Sequence, residues 1–307
     1  MARFDDVSDS ALGVLLGAFV GDALGMPYEG QPGVAVPDRV EMRDGRAPAG
    51  CYTDDTQMMI ALAESLLRCD GIDEQDLART LREHYEPARG YGSGTRAVMG
   101  LWDDGVPVAE AAMRTFDGRG AASNGAAMRV APVGVRFFSD ETLVVSQARR
   151  SALITHAHPE GVDGAVVQAV AVAAAMAGGD PLAAALDAAE TDPMRTRLKD
   201  LAAVTQHGLD SHALGGPEQA VASSAAASVP VAVVLAGRAQ GFEDAVIRAV
   251  RCGGDTDTVA AMAGAIAGAR FGASSIPARW YSALEDGESG RSHVERLARA
   301  LTEPAVT

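Results

Sequence analysis

Lysine is almost missing from this chain. Lys199 is the single one among 26 basic residues, so there is no phosphate-loop lysine, and a Schiff base could be built only there. Cysteine is scarce as well. Cys51, Cys69 and Cys252, with six histidines, are too few and too scattered for a disulfide framework or a zinc finger. Unpaired cysteines suit a reducing compartment, and a cytoplasmic location is the expectation. Aromatic residues make up 5% of the chain, and with alanine plentiful the side chains are small enough for helices to approach closely. Basic residues fall short of the 41 acidic ones, leaving a net charge of −15 and a pI of about 4.8. Such a field repels nucleic-acid backbones and anionic membranes, so neither is expected as a partner. The N-terminal ten residues carry no basic n-region, and the apolar stretch Ala11–Val20 is too short to cross a bilayer. With no fixed-period repeat and no long Ser/Pro linker, one domain over residues 1–307, acting as a monomer, is expected.

What is present reads as helix nearly throughout. Leu12, Leu15, Leu16 and Phe19 form an apolar stripe ahead of a Gly-rich segment, Gly21–Gly25, that reads as a turn. The same pattern recurs over Gln57–Leu67, Asp73–Tyr85, Thr95–Leu101, Val108–Thr115 and Thr142–Thr155. It continues over Asp163–Ala177, Leu182–Glu190, Arg195–Leu209, Ser223–Leu235, Phe242–Val250, Val259–Phe271 and Arg291–Ala300. No alternating run of β-branched residues demands a sheet, so the fold class is all-α. Two irregular stretches stand out, Gly30–Tyr52 with three prolines and four glycines, and Gly118–Pro132; ordered loops of that length usually carry function.

Two aspartate clusters each precede an apolar helix. In Thr53-Asp54-Asp55-Thr56, Thr53 or Asp54 can cap the helix that follows. Adjacent carboxylates repel unless they point apart or share a cation, and the nearest basic residues upstream are Arg43 and Arg46. In Gly253-Gly254-Asp255-Thr256-Asp257-Thr258, an extended turn would place Asp255 and Asp257 on one side. Each cluster alone has an ordinary account as an acidic cap or a solvated turn. Together, Asp54, Asp55, Asp255 and Asp257 offer four hard oxygen donors, with Thr53 and Thr258 able to complete the shell. That set matches Mg²⁺ or Mn²⁺ better than zinc, and four carboxylates balance two divalent ions. Such a pair polarises substrate oxygens and lowers the pKa of water, which permits hydrolysis without a side-chain nucleophile. Glu29, in Met26-Pro27-Tyr28-Glu29-Gly30, is either a solvent-facing turn residue or a carboxylate that orients the attacking water. Asp22 is expected to cap or brace the Gly-rich turn. Apart from Arg251, no basic residue adjoins either cluster in sequence, which disfavours a Mg²⁺-dependent phosphoesterase.

Six segments carry a resemblance to a known family: GVLLGAFVGDALGMPYEG, YTDDTQMMIAL, GSGTRAVMGLW, ASNGAAMRVAPVG, ITHAHPEGVDGAVVQA and RCGGDTDTVAAMAGAIAGARFG, in order from Gly13 to Gly272. The combination resembles the ADP-ribosylglycohydrolases, and the pairing of TDDT with a distant GGDTDT is its specific part. The resemblance implies a compact, orthogonal multi-helix fold with two divalent cations, Mg²⁺ or alternatively Mn²⁺, in a central cleft. It also implies cleavage of the bond between the anomeric ribose carbon of ADP-ribose and an acceptor. By the same resemblance Thr53, Asp54, Asp55, Asp255, Asp257 and Thr258 hold the metals and Glu29 is the acidic residue beside them, so that Glu29, Asp54, Asp55 and Asp257 form the catalytic set. Gly92, Ser93 and Gly94, with Ser123, Asn124 and Gly125, are the loops that contact phosphates or the distal ribose, and His156 lies by the ligand. Tyr91 is read as stacking at the cleft edge or as packing. The substrate implied is an ADP-ribosylated protein, modified on arginine or serine, or a small conjugate such as O-acetyl-ADP-ribose; a catalytically silent ADP-ribose-binding or structural member is the remaining alternative.

Overall fold

The apolar periodicities become helices in the computed structural model, which describes residues 4–204 and 221–303. In chain order these are α1 (Phe4–Gly25), α2 (Asp54–Cys69), α3 (Glu74–His84), α4 (Ser93–Asp103), α5 (Val108–Ala111), α6 (Ala131–Phe137), α7 (Glu141–Leu153) and α8 (Pro159–Met176). They continue with α9 (Pro181–Ala188), α10 (Asp192–Ala203), α11 (Ala225–Arg238), α12 (Phe242–Arg251), α13 (Thr256–Phe271), α14 (Ala278–Tyr281) and α15 (Arg291–Thr302). No strand forms among the described residues; isolated bridges such as Val221 to Gly254 and Ser123 to Ser224 tie loops together. The all-α expectation holds. Helix α10 starts three residues before the expected Arg195, and the expected end at Leu209 lies outside the described residues. Helix α6 was hidden by Pro132 and Gly134; Pro132 sits in its first turn, where the missing N–H removes no helical bond.

The segment Gly21–Gly25 is the last turn of α1 rather than a connection. Gly13, Gly17, Gly21 and Gly25 line one face of α1, and a Cβ on any of them would collide with the backbone of α13 at Gly268, Gly264, Ala260 and Thr256 respectively. Residues four apart share a helix face, so this row of glycines lets two antiparallel helices meet backbone to backbone. The span Val7–Tyr28 is long and apolar enough to cross a membrane, which the shorter window Ala11–Val20 did not reveal, but 72% of it is buried within the protein.

The α1/α13 contact positions the site. Helix α1 ends beside the N-terminus of α13, where Thr256 donates its hydroxyl to the Gly25 carbonyl at 2.8 Å. Asp22, one turn earlier on α1, reaches the N-terminus of α2. Two helix N-termini, each with unsatisfied N–H groups and partial positive charge, are thereby brought together. Both begin with aspartates.

Candidate active site

Asp22 is fully buried and holds the start of α2 in place. Its carboxylate accepts from the Thr53 N–H (3.0 Å), the Thr56 N–H (3.1 Å) and the Thr56 hydroxyl (2.6 Å). It therefore braces α2 from α1, not a glycine turn as expected. Thr53 is the N-cap: its Oγ1 accepts from the Asp55 N–H at 3.3 Å and donates to Asp55 Oδ2 at 3.2 Å. That leaves Asp54 and Asp55 in the first turn, both facing a cavity.

The second cluster enters from the other end of the chain. Gly253 and Gly254 have φ of 72° and 78°, left-handed backbone that side chains beyond glycine rarely adopt. The turn they make pairs Gly254 with Gln31 (2.8 Å) and hangs the Asp255 N–H on the Val221 carbonyl (3.0 Å). Asp255 is then the N-cap of α13 and Asp257 lies in its first turn. They face the cavity from a helix start and not from the extended turn that the i,i+2 spacing suggested. Thr258 follows and donates its hydroxyl to Asp55 Oδ2 at 3.3 Å, joining the two clusters. Glu29 stands at the rim, and one carboxylate oxygen from each of Glu29, Asp255 and Asp257 falls within 4.8 Å of the others.

This crowding is electrostatically costly. Burial pushes Asp54 up to about 8, Asp255 to about 7 and Asp22 to about 6, each raised further by Asp257. Asp55 is also held well above the ordinary carboxylate range by burial, then by Asp22 and Asp257. Only a part of the cluster's charge is answered from within. Arg46, from the long loop after Glu29, pairs with Glu29 and reaches Asp257 Oδ2 at 3.1 Å. A basic residue thus does adjoin the clusters in space, although none besides Arg251 does in sequence. Asp55 Oδ1 is buried with no hydrogen-bond partner. Buried carboxylates without enough cations, one orphaned oxygen and no soft donor are what a hard divalent cation site requires.

The same cavity, of about 570 Å³, is also lined by Gly92, Ser93, Gly94, Ser123, Asn124, Gly125 and His156. Helix α4 starts at Ser93 and its N-cap Gly92 supplies no side-chain cap, so first-turn N–H groups are left for an anion. Asn124 ties this loop to the acids: its amide donates to Asp255 Oδ2 at 2.7 Å and to Ser228 Oγ at 3.0 Å. His156 is buried, with Ser123 Oγ 3.0 Å from Nε2 and Thr155 Oγ1 2.8 Å from Nδ1. Burial and then the nearby Arg129 push its pKa down to about 3, so the ring is neutral.

Every proposed site residue except Thr53 lines this one cavity. Tyr91 does not sit at its edge. It is buried, donates to Gln57 Oε1 at 2.7 Å and meets Tyr85 edge-on at 4.7 Å between ring centres. Two further lining residues had no signal in the sequence, Phe116 and Arg119, and Arg46 reaches the acids by its ion pairs with Glu29 and Asp257. All come from irregular segments, where no periodicity says which way a side chain turns. Phe116, half exposed at φ 50°, is an apolar face held out beside Gly94.

Residues 4–306 match the model of a family described as ADP-ribosylglycohydrolase. ADP-ribosylhydrolase ARH3 of Bos taurus is 32% identical over 337 residues, covering 94% of this chain and 91% of the relative, and the same enzyme of Homo sapiens is 33% identical over 344 residues, covering 94% and 92%. A solved structure described as an ADP-ribosylglycohydrolase-related protein complex superposes with a TM-score of 0.79 at 31% identity, covering 97% of this chain and 98% of that one.

Proposed function

This chain belongs to the ADP-ribosylglycohydrolase family and is a glycosyl-bond hydrolase, and on that premise we propose that it releases ADP-ribose from a modified protein side chain, arginine or serine, with the help of two divalent cations. The observation that carries the reading is one cavity lined both by an acid cluster drawn from the two ends of the chain and by the polar loop residues Gly92, Ser93, Ser123 and Asn124. A diphosphate needs the loop donors, and the ribose joined to an acceptor fits beside the acids.

In this reading the first-turn N–H groups of α4, with the hydroxyls of Ser93 and Ser123, hold the diphosphate. Arg119 adds positive charge at the rim, and the Phe116 ring offers a stacking face to the adenine. Asp54, Asp55, Asp255, Asp257 and Thr258 are the residues that would hold Mg²⁺ or Mn²⁺, whose chemistry is to polarise ribose oxygens and water. Asn124 positions the Asp255 carboxylate toward that group. Glu29, held by its ion pair with Arg46, accepts a proton from the water that attacks the anomeric carbon. The bond from that carbon to the acceptor breaks, the water oxygen takes its place, and the acceptor leaves with a proton.

The test presents arginine- and serine-ADP-ribosylated peptides separately, with Mg²⁺, Mn²⁺ or chelator, and resolves the products. Free ADP-ribose in a metal-dependent manner is expected. Release of AMP would instead mark cleavage of the diphosphate linkage, and inertness toward both peptides and O-acetyl-ADP-ribose would overturn the reading.

A further inference from the structure

Joined to the cavity residues by hydrogen bonds lies a cation with no counter-charge among the described residues. Arg129 is fully buried, and among the described residues no carboxylate pairs with it. Its Nη2 donates to the Ser151 carbonyl and to Thr155 Oγ1, both at 2.8 Å, while Nε and Nη1 have no partner. Burying an unpaired charge is costly, and a residue that merely filled space here would be apolar. The bonds it does make lead to the cavity through three side chains in series.

Donor counting fixes the first of those bonds: a guanidinium has donors only, so Thr155 Oγ1 must accept from Arg129. The hydroxyl still has one proton to place, and of its two neighbours only His156 Nδ1, 2.8 Å away, can accept it. An Nδ1 that accepts leaves a neutral imidazole with its proton on Nε2, and Nε2 lies 3.0 Å from Ser123 Oγ. Ser123 is thereby an acceptor toward His156, and its own hydroxyl proton is left to face the cavity it lines. Gly125 makes room for the arrangement, since a Cβ there would press on His156 Cε1 and Nε2 at 2.9 and 3.0 Å.

We infer that Arg129 is a positioning residue: through Thr155 and His156 it sets the proton order of the chain, so that Ser123 accepts from His156 and keeps its own hydrogen free for an anionic oxygen in the cavity. The uncompensated guanidinium, fully buried, adds attraction for the same anion. The identity of that anion as the ADP-ribose diphosphate rests on the function proposed above; the proton order does not.

Two measurements separate these claims. Imidazole ¹⁵N spectra of the full chain, with His156 assigned by difference against His156→Gln, are expected to show the Nε2–H tautomer between pH 6 and 8; an Nδ1–H tautomer or an imidazolium overturns the inference whatever the substrate. In ADP-ribose titrations with Mg²⁺ present, Thr155→Val and Arg129→Met are expected to weaken binding roughly tenfold, the scale of one hydrogen bond to a charged group. Arg129→Lys, which keeps a donor-only cation, should recover most of that loss. Ser123→Ala combined with Thr155→Val should lose no more than Ser123→Ala alone, since both act through one hydroxyl; full additivity would contradict the chain. Should Arg129→Met fail to fold, the wild-type tautomer and Thr155→Val still decide. If wild type with the Nε2–H tautomer binds no ADP-ribose, the substrate reading fails and the proton order stands.

Discussion

Thr258 donates its hydroxyl to Asp55 at 3.3 Å across 203 positions of sequence. That bond joins the N-termini of two helices whose aspartates repel one another, and it forms because a fully buried third carboxylate, Asp22, ties α2 to the end of α1. The candidate centre is therefore a helix-packing consequence before it is a chemical one.

Asp55→Asn and Asp257→Asn should each abolish tight divalent binding, by more than the 10–100-fold typical of residues that only support a ligand, with hydrolysis falling alongside. Metal-free stability should hold or rise, because each change removes a repelling charge. Isothermal titration with Mn²⁺ and thermal unfolding in chelator check both halves. Unchanged Mn²⁺ affinity in both variants would contradict the centre.

Asp22→Ala should act differently. It leaves the buried Thr53 and Thr56 N–H groups without their acceptor, a loss of about 1–3 kcal/mol for an unsatisfied buried donor, and it lets Asp54 and Asp55 drift. Lower stability and a 10–100-fold weaker metal affinity are expected together, read from denaturant unfolding and Mn²⁺ titration.

Gly17→Ala places a methyl against the Gly264 carbonyl. Since both partners are backbone, neither can turn aside, and a cost of roughly 1–3 kcal/mol or more is expected. Gly100→Ala is the control: it lies in α4 with nothing within 4 Å of a Cβ and should stabilise by about 0.4–1 kcal/mol. Equal melting temperatures for the two variants would refute backbone contact between α1 and α13.

The pH dependence has a definite sign. Asp22, Asp54 and Asp255 are raised from 3.8 to about 6, 8 and 7 by burial and by Asp257. A carboxyl whose folded pKa is raised favours the folded state while protonated, so that contribution is full below pH 3.8 and is lost as pH climbs through 6 to 8. Divalent ions compete with those protons. The rise in melting temperature on adding Mg²⁺ should therefore be small at pH 5.5 and large at pH 8.5; a rise independent of pH would argue against the cluster as the binding site.

Much of this was legible in the chain itself. Two Thr/Asp clusters before apolar helices carry a capping signal and a charge problem at once, and both ended on one cavity. The glycines Gly21 and Gly25 misled because glycine is ordinarily read as a break, whereas a spacing of four signals a close helix contact. Asp255 and Asp257 were rightly grouped but for the wrong local reason, since the turn ends one residue before the helix begins. Arg46 was visible only as one of two upstream bases, with nothing to choose it over Arg43, while Phe116 sits in an irregular loop and Arg129 looked like any polar residue in a Gly/Ala-rich stretch until folding buried it.

The most direct test is anomalous scattering at the manganese edge from crystals grown with Mn²⁺ and ADP-ribose. Two peaks within about 2.0–2.6 Å of oxygens from Asp54, Asp55, Asp255 and Asp257 are expected, with the diphosphate against Ser93 and Ser123. Manganese bound elsewhere, or ADP-ribose seated away from the aspartates, would contradict the proposed site.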